Sequence, residues 1–288
     1  MPDTKRPPRK HLTVGEAQAI AEDLRHGRRD RIVDVRLPEG FQLQVGAMRG
    51  VSIVNSQLWL TVGGGMFRGG LMEDCTFIDV DLDPLTVHKA EMRSNTFERV
   101  AFGLQAMAGI DDTVIDGGSF RDCRLVDFGF RKTRFSHVSV AGGRLDRVRF
   151  ASCGFVDARL ETNLRDVTFA GCDFDATDLS GSDVVDVSFD VWRSTGLRLP
   201  SRRTGFFVTP AAATEALATV PDLSGAFRDR VSAGLIRAGH DLVAVSERFL
   251  MNALGAGPSE AAALVDALFP HRLESLDQVA RDQHAAAR

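Results

Sequence analysis

The chain has no tyrosine, only two tryptophans and only four cysteines in 288 residues. It contains no apolar run near the length of about 18 residues that a membrane-crossing helix needs. No apolar segment follows the basic stretch KRPPRK at residues 5–10, so nothing there resembles a secretory leader. Cys75, Cys123, Cys153 and Cys172 lack CxxC spacing, which argues against a zinc site. Gly63, Gly64 and Gly65 lack the Lys-Ser/Thr that completes a phosphate loop, and no HExxH or Gly-x-Ser-x-Gly occurs. The seven histidines are scattered, with His88 and His137 in positions that read as plain surface. Thirty-five basic against 39 acidic residues leave a net charge of −4, which selects neither nucleic acid nor an acidic substrate. These absences lead us to expect a soluble, cytoplasmic, non-enzymatic protein without cofactor or metal and without membrane or direct nucleic-acid contact.

What is present is a five-residue hydrophobic beat. It runs Val62, Phe67, Met72, Phe77, Leu82, Val87, Met92, Phe97, Phe102, Met107. After a three-residue step it resumes at Ile110 and continues every fifth residue to Leu160; after a four-residue step it runs from Leu164 to Phe189. All 27 positions are apolar in a chain that is 44% hydrophobic, so composition alone does not produce the beat. A period of five matches neither the 3.6 of a helix nor the 2 of a flat strand. It requires a chain that turns a corner every five residues. Two residues before most beats stands a small side chain, such as Gly118, Cys123, Thr133, Cys172, Thr177 and Ser182. One large and one small inward residue per side suit a narrow tube, with four sides to a coil of about twenty residues and coils about 4.8 Å apart.

The stretch CDFDATDLSGSDVVD at residues 172–186 shows three units in phase. Cys172, Thr177 and Ser182 fill the small slot, Asp173, Asp178 and Asp183 the next, and Phe174, Leu179 and Val184 the centre. This pattern resembles the pentapeptide-repeat family. The resemblance implies a mainly β fold, a right-handed quadrilateral β-helix (a solenoid) of about seven coils. Some family members bind DNA gyrase by presenting an acidic surface in place of duplex DNA and so protect against quinolones.

Stacked coils predict neighbours. Ile110, Phe130, Phe150, Phe169 and Phe189 form one inward column, and 12 of the 19 phenylalanines fall on the beat, which reads them as core. All four cysteines occupy the small inward slot and read as buried reduced thiols; a Cys153–Cys172 disulfide is the alternative that stacking allows.

Charge is uneven along the chain. Residues 121–149 hold eight Lys/Arg against three Asp, whereas residues 151–190 hold nine Asp/Glu against two Arg. Cross-coil ladders such as Asp146 over Arg165 and Arg159 under Asp178 account for part of this. What remains defines two candidate surfaces. One is a basic belt of Arg124, Arg131, Lys132, Arg134, Arg144 and Arg149. The other is an acidic partner surface of Asp173, Asp175, Asp183, Asp186 and Asp190.

The flanks complete the expected organisation. Residues 1–12 read as a basic disordered tail and 13–58 as an N-terminal cap of a helix plus first strands. Residues 59–199 form the β-helix, with Trp59 and Trp192 as end plugs, and 205–288 an all-α C-terminal module. That module divides into four amphipathic segments. Phe227, Val231 and Leu235 mark the first, Leu242, Val245, Phe249 and Ala253 the second, residues after Ser259 the third, and Leu273, Leu276 and Val279 the fourth. Phe227, Val231, Leu235 and Phe249 make a candidate helical interface for a protein partner or a homodimer. The function expected is a protein-interaction scaffold or adaptor, with a gyrase-binding DNA mimic as the alternative.

Overall fold

The computed structural model describes residues 8–41, 48–58, 65–82, 85–103, 109–220, 223, 225–235 and 242–275. The chain is mainly β, a parallel β-solenoid of about seven turns with helices towards both ends. It divides into two compact units, Met1–Arg144 and Leu145–Arg288.

The coils follow from their corners. Among the described residues, eighteen non-glycine positions have φ between 44° and 56°, and nine of them are Asp. The left-handed region is costly for most side chains and least so for Asn and Asp, so these residues set the bends between short strands and within the longer ones, as Asp166 does in Arg159–Asp175. Each bend turns the next apolar residue inward again, which is the physical content of the five-residue beat.

In the first unit, Thr13 opens helix α1 (Val14–Arg25) with a capping box. Its hydroxyl accepts the Glu16 amide, and its own amide donates to the Glu16 carboxylate at 2.8 Å. Lys10 and Thr13 together hold the Glu16 pKa down at about 2. Ala17, Ile20, Ala21 and Leu24 form the buried face of this helix. Parallel stacking starts at Lys10–His11, a strand within the expected disordered tail that pairs with Val35–Arg36, and so earlier than the beat suggests. Ile32, Ile53, Met72, Met92, Ile115 and Phe135 lie in one inward column. The strands placed in the cap by sequence therefore include true coils. Met48, Phe67, Val87, Ile110 and Phe130 make a second column, and Leu58, Phe77, Phe97, Phe120 and Val140 a third. Across the first slip Val87 pairs with Ile110 and Phe102 with Leu125, so the coils on either side of it stay in register. Met107 and Trp59 lie outside the described residues.

The rings stack at the coil spacing. Phe77 and Phe97 are 4.8 Å apart with planes 3° from parallel, and Phe97 and Phe120 are 4.7 Å apart at 10°. The small inward slot satisfies the backbone where it turns. Asn95, buried, accepts the Cys75 amide and donates to the Met72 carbonyl, both at 2.9 Å. Thr133 donates to the Ile110 carbonyl at 3.2 Å.

The second unit repeats these devices. Phe150, Phe169 and Phe189 stack at 4.9 and 4.6 Å, and Phe155 and Phe174 at 5.1 Å. Ser182 donates to the Leu160 carbonyl at 2.7 Å and Thr177 to that of Phe155 at 3.3 Å. Cys75, Cys123, Cys153 and Cys172 are all buried thiols, with no disulfide between the last two.

The C-terminal region departs from the all-α expectation. Leu242–Val245 is a strand that pairs antiparallel with Phe189 on one side and with Phe206–Val208 on the other. It is buried along its length, and it extends the sheet beyond Ser188 and Phe189 of the last coil. The spacing of Leu242 and Val245 imitates a helix, but helix α4 (Glu247–Leu254), numbered in chain order, starts only at its Ser246 cap and ends at Gly255 with φ 71°. Before it come α2 (Pro210–Thr219), an Ala-rich helix capped by Thr209, and α3 (Gly225–Leu235). After it comes α5 (Pro258–Leu268), whose cap is Gly257 rather than Ser259. Leu273 forms a bridge to Phe207 instead of a fourth amphipathic helix. Leu276 and Val279 lie outside the described residues, as does the side chain of Trp192. Phe206, Val208, Leu217, Val231, Val243, Phe249, Leu264 and Leu268 share one apolar core.

Candidate interaction surfaces

In the first unit a cavity of about 20 Å³ is lined by Met48, Met72, Phe77, Leu82, Val87, Met92, Phe97, Phe102, Ile110 and Phe120. That is about the space of one water-sized sphere, and its wall is wholly apolar. Among the described residues no group of three or more His, Cys, Asp or Glu is arranged to hold a metal. No described helix is long and apolar enough to cross a membrane. Charged side chains stand outward beside the beat and at the corners.

These side chains form vertical ladders. In the first unit Glu73, Arg93 and Asp116 follow one another in register, alternating in sign. Arg99 reaches back to Asp79 with two hydrogen bonds, 2.6 and 2.9 Å, and holds that carboxyl below its usual range. A second ladder runs Arg49, Arg68, His88, Asp111, Arg131. Arg131 bonds Asp111 through two nitrogens, and His88 Nδ1 lies 3.1 Å from the same carboxylate. Arg131 is the main cause that lowers the Asp111 pKa. Neither histidine flagged by sequence is a bare surface residue, since His137 Nδ1 is also 3.1 Å from Asp116.

Of the basic belt, Arg124, Arg131, Lys132, Arg134 and Arg144 lie in the first unit and Arg149 in the second, all exposed. They do not form one free patch. Arg131 is committed to Asp111, Arg134 donates to Ser136 at 3.2 Å, and Lys132 stands at a corner with φ 50°. Arg131 follows Asp111 by the regular coil step of 20 residues, so the beat itself places the two in register.

The acidic residues all lie in the second unit, on different faces. Asp173 and Asp175 flank Phe174 and are exposed, and Asp173 stands in register with Arg193. Asp183 and Asp190 flank different inward columns of the next coil, with the half-buried Asp186 at the corner between them. Asp178 is bracketed by Arg159 and Arg198. Burial pushes its carboxyl up, but hydrogen bonds from Ser180 and the charges of Arg198 and Arg159 outweigh this and hold it below its usual range. Asp146 pairs with its neighbour Arg147 at 3.0 Å rather than with Arg165.

The helical interface expected from sequence does not hold for Val231 and Phe249. Both are buried in the C-terminal core, so an amphipathic face there packs inward against its own strands and helices. The side chains of Phe227 and Leu235 lie outside the described residues.

Comparison with known proteins agrees with this geometry. A family model described as pentapeptide repeats (8 copies) matches residues 155–190. No curated protein matches. Among solved structures, a trypsin-treated variant of QnrB1, a plasmid-mediated fluoroquinolone resistance protein, is 17% identical over 56% of this chain and 78% of its own, with a TM-score of 0.25. HetL, a pentapeptide repeat protein involved in heterocyst differentiation regulation in the cyanobacterium Nostoc, is 11% identical over 65% of this chain and 92% of its own, with a TM-score of 0.23. Superposition at such scores is poor, and the architecture rests on the strand register of this chain. The family match is thus to the repeat at residues 155–190, which lies within the parallel-stacked coils of the second unit.

Proposed function

We propose that the protein is a non-enzymatic interaction scaffold that works through its outward ladders. The observation that carries this reading is the filled interior. Stacked phenylalanines and short hydroxyl or thiol side chains occupy the inward positions of both units, which leaves binding to the surface. A rigid β-solenoid presents side chains at fixed spacing without an ordering cost on binding, a good base for recognising a protein partner. The test is affinity capture from cells of the native host with the full chain, read by mass spectrometry, alongside a survey for substrate turnover. A stoichiometric protein partner supports the scaffold; turnover of a substrate by pure protein would sink it.

The second reading is a DNA mimic that binds gyrase or another topoisomerase, as the family resemblance implies. It is favoured by the exposed Asp173, Asp175 and Asp183 within the matched repeats and by a second unit with 20 acidic against 15 basic residues. It is weakened by the arginines that stand in register with Asp173 and Asp178, since a duplex surrogate needs charge along its length. Gyrase supercoiling assays with the protein added decide it: inhibition or quinolone protection supports it, and no effect at excess protein removes it.

A further inference from the structure

Opposite charges alternate in the ladder Glu73–Arg93–Asp116, as stacking at about 4.8 Å favours. The ladder that begins at Arg49 breaks that rule. Arg49, Arg68 and His88 stand in register on three successive coils, with the first carboxylate, Asp111, only on the fourth. Neither Arg49 nor Arg68 has an ion-pair partner among the described residues. Like charges in adjacent register repel, so the fold carries a local cost here that an anionic partner would remove.

The surface beside the ladder is low. The other outward column of the same face reads Met66, Thr86, Gly109, Gly129. A side chain at Gly129 would meet nothing within 4 Å, which marks open space there. Met66 is 39% exposed, a single apolar contact at the level of Arg68. A shelf with a cationic rail and one apolar point fits an amphipathic acidic helix. Carboxylates at i and i+3 or i+4 on a helix lie about 5–6 Å apart, close to the coil spacing of about 4.8 Å.

We propose that the Arg49–Arg68–His88 ladder and its Thr86–Gly109–Gly129 shelf form a docking strip for an acidic helix of a partner protein. This rests on the scaffold reading and gives it a surface and a partner chemistry. Single-stranded nucleic acid is the weaker occupant, because no aromatic side chain is among the exposed large apolar residues described and base stacking has no platform.

The test is fluorescence anisotropy on the full chain with three labelled probes. One is an Ala-based helical peptide with glutamates along one face, one a peptide of the same composition with glutamates scattered around the helix, and one a DNA oligonucleotide of equal charge. The striped peptide binds best, more weakly as salt rises. Arg49→Glu with Arg68→Glu weakens it roughly tenfold or more, while Arg124→Glu with Arg144→Glu leaves it unchanged. Should the charge reversal fail to fold, Arg49→Gln with Arg68→Gln serves, with a smaller loss in the same direction. Equal binding of the scattered peptide or the oligonucleotide, or indifference to both Arg49/Arg68 variants, overturns the proposal. A cellular partner whose capture survives those variants would overturn the strip while leaving the scaffold intact.

Discussion

Arg131 grips Asp111 from one coil further along the chain, Nε to Oδ1 at 2.8 Å and a terminal nitrogen to Oδ2 at 2.7 Å. Because Arg131 lowers the Asp111 pKa, the pair stabilises the fold above the ordinary Asp value of about 3.9 and is lost as pH falls through the lower folded value. Arg131→Ala should therefore lower the urea midpoint slightly at neutral pH, and the gap to wild type should shrink as the pH falls below the ordinary Asp value of about 3.9. A gap that stays constant from neutral pH into acid would show that the pair does not stabilise the fold.

Phe169 is fully buried between Phe150 and Phe189, its ring 4.9 and 4.6 Å from theirs. Phe169→Ala should cost about 3–5 kcal/mol in chemical denaturation, from lost transfer and the cavity left in a stack that cannot close. Phe169→Leu should cost markedly less. A loss under about 1 kcal/mol for the alanine variant would mean that the ring is not at the centre of the stack.

The inward columns were legible because one apolar residue in five is a signal that no other architecture produces. The corner residues were not, because an Asp at a left-handed bend looks the same as an Asp on a surface. Asp186, read as part of an acidic surface, sits at such a bend with φ 55°. The Arg49–Arg68–His88 ladder was hidden because its first member, Arg49, precedes the beat as read from Val62, and its step from His88 to Asp111 crosses the first slip. Leu242–Val245 was misread because four apolar residues in a row satisfy a helical spacing and a doubly buried strand alike. Val231 and Phe249 show the remaining ambiguity: an amphipathic helix marks an apolar face, not whether its own chain or a partner covers it.

Gly118 has φ 92°, and a Cβ there would stand 2.2 Å from the Asn95 carbonyl oxygen. Gly118→Ala should destabilise by about 3 kcal/mol or more, combining backbone strain with a clash against main chain. Gly129→Ala should be nearly neutral, since that position is open. Thermal melts of the two variants distinguish them, and equal behaviour would contradict the coil packing at Asn95.

Burial pushes the Cys75 and Cys123 thiols up to about 11, and Cys172, beside Cys153 one coil away, is also raised. The thiolate is the reactive form, so Ellman's reagent should find no fast thiol in native protein near pH 8 and four in denaturant. Rapid reaction of any cysteine before unfolding would contradict the inward placement of the small slot.

The most direct test of the proposed scaffold is quantitative capture from native-host cells on three baits: wild type, Arg49→Glu with Arg68→Glu, and Asp183→Asn with Asp190→Asn. The account predicts a protein enriched on wild type and lost from one surface variant whose melting temperature is unchanged. Enrichment of nothing on any bait, or of the same proteins on all three, would contradict it.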